Sequence, residues 1–437
     1  MTRPIYTLLF TLLLPFVLLR LLLRSRKAPD YRKRWGERFG LFKAPNQSAS
    51  QSAGIWFHTV SVGEFLAAAS LIEQVMQAYP NKLITITTTT PTGSAQVRQR
   101  FAQAIEQGRV FHVYLPYDIP LFLHNFLRRI QPALLVILET ELWPNLIACA
   151  KAKGCRVLVA NGRLSEKSAA GYAKFPKLAR PLLAALDGLA AQNAVDGERF
   201  VSVGLPKSAL TVTGSIKFDV QVPESCYQQA AAYRQQWGEQ REVWIMASTH
   251  KGEDEIALAA HRRVLAKHAD ALLVIVPRHP ERLNDVAQLI IEQGFNLARR
   301  SQNTSISTST EVLLVDSMGE LMGFLAASQI CCMGGTFTDN GGHNPLEPAA
   351  LGLPVVMGPS QFNFAQICDL LTQAGALKTV GGFDDLAQQV LLWFDHQEQA
   401  RSAGAQGQHV VENNRGAKER VFELICQTLD ERRETLV

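Results

Sequence analysis

The stretch His58-Thr-Val-Ser-Val-Gly-Glu64, continued by Phe65-Leu-Ala-Ala-Ala-Ser-Leu-Ile72, shows the pattern on which the whole chain is built. An apolar, strand-like run ends in a turn of small residues, and a helical pattern follows at once. A turn of this kind lies at the carboxyl edge of an open α/β sheet, where free backbone N–H groups bind ligands. Glu64 is the first charge in the stretch. It either complements the positive end of the helix dipole or belongs to a ligand site.

The same alternation of strand and helix recurs along the chain. Seven strand-like runs precede a break at 218–224, where Pro223 interrupts the pattern, and five more follow it. The runs are 55–60, 83–88, 110–115, 134–138, 157–160, 188–191, 210–213, 243–247, 272–276, 312–315, 329–333 and 354–357. Alternation of this kind predicts parallel sheets with helices on both faces. The expected fold class is therefore α/β, with two Rossmann-like domains facing a cleft.

Composition agrees with two globular domains. The chain has 437 residues, of which 47% are hydrophobic and 19% charged, so it is too long for one ordinary core and too apolar for disorder. Its seven cysteines are scattered without a C-x-x-C pair or a zinc spacing. Free thiols in this arrangement indicate a reducing compartment.

The net charge of +5 is concentrated at the N-terminus. Residues 1–43 hold ten of the 44 Lys and Arg residues but only two of the 39 Asp and Glu residues. The rest of the chain is slightly acidic, so a general nucleic-acid footprint is absent and no nucleic-acid partner is expected.

An apolar run at 5–23 precedes this basic cluster and predicts an N-terminal membrane anchor helix. About twenty such residues can cross a hydrocarbon core. Arg24-Ser-Arg-Lys27 follows in place of a small-residue cleavage site, so the anchor is expected to stay on the protein. The positive-inside rule then places the catalytic domains on the cytoplasmic side of the membrane. The alternative is a helix lying in the interface, because Pro15 and Arg20 weaken a clean span.

These patterns divide the chain into four parts. We expect an anchor with its basic flank at 1–45, one Rossmann-like domain at 46–220, a second at 221–412, and a C-terminal helix at 413–437 that packs back across the domains. A polar spacer at 46–52 and a polar surface loop at 301–310 complete the organisation.

Several predicted strand ends carry chemistry. Glu139 and Glu141 follow a continuous apolar strand directly and are either helix-start caps or site residues. Lys217 lies at the domain junction and is either an exposed lysine or a site residue. Arg278 lies in Val276-Pro-Arg-His-Pro-Glu281, and a guanidinium held at a strand end suits a phosphate.

The segment Met333-Gly-Gly-Thr-Phe-Thr-Asp-Asn-Gly-Gly-His-Asn-Pro-Leu-Glu-Pro348 is the richest in signals. Its glycines allow a ligand to approach the backbone. Asn344 is predicted to cap a helix whose first residue is Pro345, and the free N–H groups of that helix would attract an anion. Glu347 in the first turn either accepts hydrogen bonds from ribose hydroxyls or complements the helix dipole.

In order, these motifs closely resemble those of the bacterial 3-deoxy-D-manno-octulosonic acid (Kdo) transferases of lipopolysaccharide assembly. The motifs are Ser-Val-Gly-Glu64, Glu139-Thr-Glu-Leu-Trp-Pro-Asn145, Thr213-Gly-Ser-Ile-Lys-Phe-Asp219, Val276-Pro-Arg-His-Pro-Glu-Arg282, Met318-Gly-Glu-Leu321 and Gly341-Gly-His-Asn-Pro-Leu-Glu-Pro348. The resemblance implies a glycosyltransferase B fold, CMP-Kdo as donor and a lipid A precursor, lipid IVA, as acceptor. It places the enzyme at the cytoplasmic face of the inner membrane. It also implies that 46–220 is the acceptor domain and 221–412 the CMP-sugar domain.

The resemblance further assigns roles to single residues. Glu64 corresponds to the proton acceptor, and Glu139 and Lys217 correspond to a pair that stabilises the transition state. The CMP contacts correspond to Pro277, Arg278, Met318, Gly319, Glu320, Asn344, Pro345, Leu346 and Glu347. No cofactor or metal is expected, because the sequence has no Asp-x-Asp pair of the kind that holds a divalent ion in other transferases.

The expected reaction is an inverting transfer in which Glu64 takes the proton of the attacking hydroxyl. Two other classes share parts of the pattern. A nucleotide-sugar 2-epimerase would need neither the anchor nor the basic flank. A non-catalytic, membrane-tethered nucleotide-sugar binder would have no use for Glu64 or Glu139.

Overall fold

The computed structural model describes residues 1–26, 28–44, 53–302 and 306–434, and the side chains as far as residue 430. The predicted spacer at 46–52 lies outside the described residues, as do Lys27 and part of the predicted loop at 301–310. The chain divides into two compact units. Unit 1 comprises Met1–Lys217 together with the C-terminal stretch from Arg415, and unit 2 comprises Phe218–Asn414.

Unit 1 contains a seven-stranded parallel sheet in the order β3-β2-β1-β4-β5-β6-β7. The strands are β1 (Gly54–His58), β2 (Ile84–Thr88), β3 (Val110–Tyr114), β4 (Pro132–Leu138), β5 (Arg156–Gly162), β6 (Gly188–Ala191) and β7 (Leu210–Val212). The helices are α1 (Arg3–Arg24), α2 (Val62–Ala78), α3 (Pro91–Arg100), α4 (Ala102–Glu106), α5 (Pro120–Ile130), α6 (Pro144–Ala152), α7 (Glu166–Ala173), α8 (Pro176–Ala184) and α9 (Ala194–Val203). The seven predicted strands are all present. Strand order reverses between β1 and β4, which is where doubly wound sheets bind ligands.

Unit 2 contains a second seven-stranded parallel sheet, in the order β10-β11-β9-β8-β12-β13-β14. Its strands are β8 (Val243–Thr249), β9 (Leu272–Pro277), β10 (Leu297–Arg299), β11 (Val312–Leu314), β12 (Ile330–Met333), β13 (Val355–Met357) and β14 (Leu377–Thr379). Its helices are α10 (Glu224–Trp237), α11 (Glu253–Leu265), α12 (Leu283–Glu292), α13 (Leu321–Ala326), α14 (Leu346–Ala350), α15 (Ala365–Gln373), α16 (Phe383–Asp395) and α17 (Gln397–Asn414). The sequence did not predict β10 and β14. In this sheet the order reverses between β8 and β12.

The last helix, α18 (Ala417–Glu434), belongs to unit 1 although it follows unit 2 in the chain. Its apolar residues Ala417, Val421 and Ile425 recur every four positions and are fully buried in one core of unit 1. The Arg420 guanidinium also donates a hydrogen bond of 2.8 Å to the Thr213 carbonyl. The predicted helix at 413–437 thus corresponds to α18 and the end of α17.

Local sequence explains why the elements begin where they do. Strands β4 and β8 are buried along their whole length, as expected for apolar strands covered by helices on both faces. Ser61 caps α2, Thr90 caps α3 and Asn193 caps α9, each by accepting a hydrogen bond from a backbone N–H in the first turn. Proline occupies the first position of α5 and α6, where its missing N–H costs nothing.

Helix α1 is long and apolar enough to cross a membrane by length and composition. Its half-buried residues form one narrow stripe at helical spacing, and the rest of its surface is exposed and mostly apolar. The stripe consists of Tyr6, Thr7, Phe10, Leu14, Leu18 and Leu21. Near the start of the stripe, Thr7 hydrogen-bonds Asn145 of α6 at 3.0 Å, and the Phe10 ring meets the Trp143 ring edge-on at 6.1 Å. Helix α1 therefore lies along unit 1.

Candidate active site

Glu64 lies at the start of α2, at the carboxyl end of β1 and next to the point where the strand order of unit 1 reverses. Its carboxylate accepts hydrogen bonds from the Val60 N–H at 2.8 Å and from the Ser61 hydroxyl at 2.9 Å. The Glu64 N–H donates in return to Ser61 Oγ at 3.2 Å. This reciprocal arrangement is a capping box, so Glu64 does stabilise the helix start.

The capping role does not explain why the pKa of this carboxyl is raised. The pKa of Glu64 is raised from 4.5 to about 7, mainly by burial and to a smaller extent by the nearby carboxylates of Glu139 and Glu141. The hydrogen bonds from Val60 and Ser61 lower the pKa but do not cancel the effect of burial. A carboxyl that titrates near neutral pH can accept a proton in one step and release it in the next.

Glu139 follows β4 on the other side of the strand reversal and adopts a left-handed backbone with φ of 58°. Only a few per cent of non-glycine residues have a positive φ, and the strain of such a backbone concentrates at functional sites. The Glu139 side chain forms an ion pair with Lys217, with 2.8 Å between Nζ and Oε1, and both side chains are about four-fifths buried. Unit 1 thus brings Glu64, Glu139 and Lys217 to the same edge of its sheet.

Glu141 and Trp143 lie beside this pair. The Trp143 indole N–H donates to the Glu141 carboxylate at 3.0 Å. Burial raises the pKa of Glu141, the Trp143 hydrogen bond lowers it, and the Glu139 charge raises it again. The strand end therefore holds two neighbouring carboxylates, one paired with a lysine and the other with an indole N–H.

In unit 2, Pro277 ends β9 and Arg278 follows it, with its backbone N–H bonded to the Thr249 carbonyl at 3.1 Å. The Arg278 side chain is exposed, which leaves the guanidinium accessible to a ligand. Burial lowers the pKa of His343 to about 4, and the Arg278 charge contributes to this shift. The Arg278 charge also acts on the half-buried Glu347; burial raises the pKa of that carboxyl and the Arg278 charge lowers it. Arg278 and the 344–347 segment therefore lie close together.

Three histidine rings adjoin Arg278. His250 stacks on His343 with 5.1 Å between ring centroids, and their Nε2 atoms are 2.9 Å apart. The His279 ring meets His250 edge-on at 5.2 Å. Burial lowers the pKa of His250, so His250 and His343 form a mainly neutral pair that can donate and accept hydrogen bonds.

Glu253 at the start of α11 organises the glycine-rich loop, and the sequence did not single it out. Its side chain is completely buried, and its carboxylate accepts hydrogen bonds of 2.7–2.9 Å from four backbone N–H groups. The donors are His250, Gly335, Thr336 and Phe337. These loop amides are therefore occupied by a protein carboxylate. One signal could have revealed Glu253, because Lys-Gly-Glu253 follows a strand just as Val-Gly-Glu64 does.

The Met318-Gly319-Glu320 segment follows β11, which neighbours β9 in the sheet. Met318 is 72% exposed, and Gly319 has a φ of 86°, which favours glycine. Glu320 is held by Arg300 at 2.8 Å and by the Tyr233 hydroxyl at 3.1 Å. Burial raises the pKa of Glu320, but its hydrogen bonds outweigh burial and hold the pKa below the usual value.

The prediction for the helix at Asn344 was wrong in its details. Helix α14 begins at Leu346 and has five residues, and its capping position is taken by Pro345. Asn344 still stabilises the turn, because its side-chain oxygen accepts a hydrogen bond from the Leu346 N–H at 3.1 Å. So short a helix has a weak dipole, which leaves Arg278 as the main positive group near this segment.

Candidate metal ligands do not gather in either unit. Within the described residues, no group of three or more His, Cys, Asp or Glu side chains is placed to hold a metal ion. Positive groups beside the proposed site residues include Lys217 in unit 1 and Arg278 and Arg300 in unit 2.

Comparison with known proteins identifies the family. Residues 33–220 match the family described as 3-Deoxy-D-manno-octulosonic-acid transferase (kdotransferase), and residues 240–410 match glycosyl transferases group 1. The 3-deoxy-D-manno-octulosonic acid transferase of Haemophilus influenzae is 41% identical over 431 residues, covering 98% of this chain and 99% of the relative. The enzyme of the same name from Bordetella pertussis is 35% identical over 384 residues, covering 86% and 87%.

A solved structure supports the fold independently. The UDP-GlcNAc 2-epimerase of Neisseria meningitidis bound to UDP-GlcNAc has a TM-score of 0.56 and covers 86% of this chain and 100% of its own. Its identity to this chain is 15%, so the likeness shows the fold alone. The two parallel sheets with their helices confirm the predicted α/β, glycosyltransferase B type of fold. Because near full-length relatives at 41% and 35% identity are named Kdo transferases, this chain belongs to the 3-deoxy-D-manno-octulosonic acid transferases and is a glycosyltransferase.

Proposed function

We propose that this enzyme transfers Kdo from CMP-Kdo to a hydroxyl of a lipid A precursor, lipid IVA, and releases CMP. The observation that carries this proposal is the Glu64 carboxyl, whose pKa is raised to about 7 at the carboxyl edge of the unit 1 sheet. The family membership of the chain supports the sugar, and the apolar helix α1 supports a membrane-resident acceptor. The proposed location is the cytoplasmic face of the inner membrane, with α1 as the anchor.

In the proposed reaction, Glu64 takes the proton of the acceptor hydroxyl as the oxygen attacks the anomeric carbon. The bond from that carbon to the CMP phosphate breaks, and its electron pair leaves with the phosphate. A base of pKa near 7 is well matched to this step, because it is substantially ionised at neutral pH yet still basic enough to take a proton. The attack from the face opposite the leaving group makes the transfer inverting.

The pair of Glu139 and Lys217 is proposed to stabilise the charge that develops in the transition state. The ion pair of 2.8 Å fixes the ammonium in place before substrate arrives, so little reorganisation is needed during the reaction. The left-handed backbone at Glu139 aims this carboxylate from the strand end, which a regular strand would not do at the same position.

The donor is proposed to bind unit 2 through Pro277, Arg278, Met318, Gly319, Glu320, Asn344, Pro345, Leu346 and Glu347. The exposed Arg278 guanidinium suits the CMP phosphate, because arginine grips phosphate oxygens bidentately. Glu347 and Glu320 suit ribose hydroxyls or the base as hydrogen-bond acceptors. The leaving phosphate is thus neutralised by side chains, and the proposed mechanism needs no metal or cofactor.

Incubation of the purified full-length protein with CMP-Kdo and a tetra-acylated lipid A precursor, in excess EDTA, tests this proposal. The expected products are CMP and a Kdo-bearing lipid, and NMR should show the anomeric configuration opposite to that of the donor. Absence of transfer with or without magnesium would refute the proposed acceptor. Transfer that requires magnesium would refute the metal-free mechanism, and retained configuration would refute direct displacement.

A further inference from the structure

An apolar cavity of about 430 Å³ opens in unit 1 between the start of α1 and the helices α6, α7 and α8. A volume of this size lies in the range of small-molecule and lipid-chain sites. Its walls are mainly aromatic and aliphatic, and include Tyr6, Trp143, Tyr172, Phe175, Leu178 and Leu182. None of the residues assigned to the reaction lines this cavity.

The position of α1 places the cavity at a lipid surface. The outward face of α1 carries large exposed side chains, including Leu8, Leu12 and Phe16 at 60%, 63% and 69% exposure. Exposed apolar area of this extent marks a contact surface, and the length and composition of α1 suit a lipid surface. Because Tyr6 at the start of α1 forms part of the cavity wall, a lipid chain beside α1 can enter without crossing water.

Two helices that line the cavity, α7 and α8, carry positive charge on their exposed surface. Helices α7 and α8 and their connection expose four basic side chains, Lys167, Lys174, Lys177 and Arg180, against a single acidic residue, Glu166. Phe175, between these lysines, is 44% exposed. Exposed basic side chains on the helices that line an apolar cavity complement a lipid that joins an acyl chain to an anionic headgroup.

One wall of the cavity is also a neighbour of the proposed reaction site. Trp143 lines the cavity and donates a hydrogen bond of 3.0 Å to Glu141, two residues from Glu139. On the same wall, Tyr172 lies close enough to Glu141 for that carboxylate to raise its pKa, after the larger effect of burial. A molecule with its chain in the cavity would therefore hold its headgroup near Glu139 and Glu141.

We propose that this cavity binds one acyl chain of the phosphorylated lipid acceptor and so positions the acceptor headgroup beside Glu139 in unit 1. This inference rests on the proposed function, because it takes the acceptor to be an acylated, phosphorylated glycolipid. The inference adds an acceptor subsite that recognises the acyl chain of the acceptor rather than its sugar.

Gly171 on α7 provides a selective way to fill the cavity. It lines the cavity, and a side chain added there would meet open space, with no atom within 4 Å of its Cβ. Gly171→Phe should therefore occupy the cavity without disturbing the core. Gly171→Ala is the matched control for the loss of glycine. Ala173→Phe is the control for an added ring, because Ala173 is exposed on the same helix and does not line the cavity.

The kinetic test compares an acylated acceptor with its deacylated, water-soluble form, using full-length variants. Gly171→Phe should raise KM for the acylated acceptor at least about fivefold, because the added ring takes the space in which the CH2 groups of the acyl chain would be buried. It should leave KM for the deacylated acceptor unchanged, and both control variants should resemble the wild type. An unchanged KM for the acylated acceptor, or an equal rise for both acceptors, would overturn the proposal.

A binding test that needs no transfer separates this proposal from the proposed function. A lipid A precursor with brominated acyl chains, added without CMP-Kdo, should quench the fluorescence of Trp143. This contribution is the part of the tryptophan emission that is lost in Trp143→Phe. Gly171→Phe should abolish this part of the quenching.

Two outcomes would overturn the proposal. The first is quenching by a brominated phospholipid that the acceptor cannot compete away, because a structural lipid would then occupy the cavity. The second is a self-association of the wild type that Gly171→Phe abolishes in sedimentation, because a second copy would then fill the cavity.

Discussion

At the scale of single residues, the Glu64 carboxylate both closes the capping box of α2 and is proposed to take the acceptor proton. The two roles are compatible because each oxygen of the ionised carboxylate accepts one hydrogen bond at the helix start and keeps a second lone pair that can take the proton. The hydrogen bonds from Val60 and Ser61 fix the carboxylate, and burial raises its pKa to about 7. A cap alone needs no such pKa, since carboxylates at helix starts are stabilised in their ionised form.

The raised pKa of Glu64 predicts how transfer depends on pH. The base must be ionised to act, so kcat/KM should be low below pH 7, rise through about pH 7 and level off above it. The contribution of Glu64 to folding stability depends on pH in the opposite direction. A carboxyl whose pKa is raised by folding favours the native state most below its unfolded pKa, and this contribution is lost as the pH rises through 7. Transfer rates and unfolding curves between pH 5 and pH 9 check both trends, and a pH-independent rate would contradict the assignment.

The left-handed backbone at Glu139 predicts a difference between two substitutions. Glu139→Gly and Glu139→Ala both remove the ion pair with Lys217, but only glycine relieves the strain of a φ of 58°. The glycine variant should therefore unfold with a free energy about 1 kcal/mol above that of the alanine variant. Both should lose transfer by a similar factor. Equal stability of the two, measured in denaturant, would show that the backbone at this position is unstrained.

Sequence reasoning located Glu64, Glu139, Lys217 and Arg278 as candidates because each follows a strand end, where parallel sheets carry their ligand residues. It missed Glu253 because a glutamate in the first turn of a helix is ordinarily explained by the helix dipole, and three of its four partners lie more than 80 residues away. It missed β10 and β14 because three residues give too little periodicity. The order of the strands in each sheet depends on tertiary packing.

At the scale of elements, Glu253 supports the glycine-rich loop that leads from β12 to α14. Four backbone N–H groups converge on its carboxylate, and the side chain is completely buried. The loop that precedes the proposed CMP-binding residues 344–347 is thus fixed by a carboxylate at the start of α11. These hydrogen bonds hold this part of the proposed donor site in place without a ligand.

Loss of this carboxylate should destabilise unit 2 and weaken CMP binding. Glu253→Ala leaves four amides without a partner and should lower the unfolding free energy by at least about 3 kcal/mol. Glu255→Ala is the matched control, because Glu255 is exposed in the same first turn of α11. Its substitution removes the same charge near the same helix dipole. Unfolding in denaturant and calorimetry with CMP measure the two effects. Equal losses of stability and of CMP binding in both variants would show that Glu253 acts only through the helix dipole.

At the scale of the whole molecule, each unit carries a distinct part of the proposed chemistry. Unit 1 holds the proposed base, the Glu139–Lys217 pair, helix α1 and the apolar cavity, and unit 2 holds the proposed donor site. Each sheet is complete within its own unit, and each unit has its own cores. Helix α1 lies outside those cores, since none of its residues is buried.

Removal of residues 1–24 should therefore leave a folded enzyme with weaker membrane association. Only a narrow stripe of α1 contacts unit 1, so Tm should fall by no more than roughly 5 °C. Binding to anionic vesicles should decrease but persist, because the basic residues after α1 still attract the headgroups. Calorimetry and vesicle sedimentation measure these properties. Loss of cooperative unfolding would show that α1 is an integral part of unit 1.

The most direct test of the central claim is the single-turnover rate of transfer by Glu64→Gln, with Ser61→Ala measured beside it. Glutamine keeps the size and much of the hydrogen bonding of Glu64 but cannot take a proton, so the rate should fall at least about 100-fold. Ser61→Ala removes the cap, should cost about 1 kcal/mol of stability and should keep most of the transfer rate. Near wild-type transfer by Glu64→Gln would contradict the assignment of Glu64 as the proton acceptor.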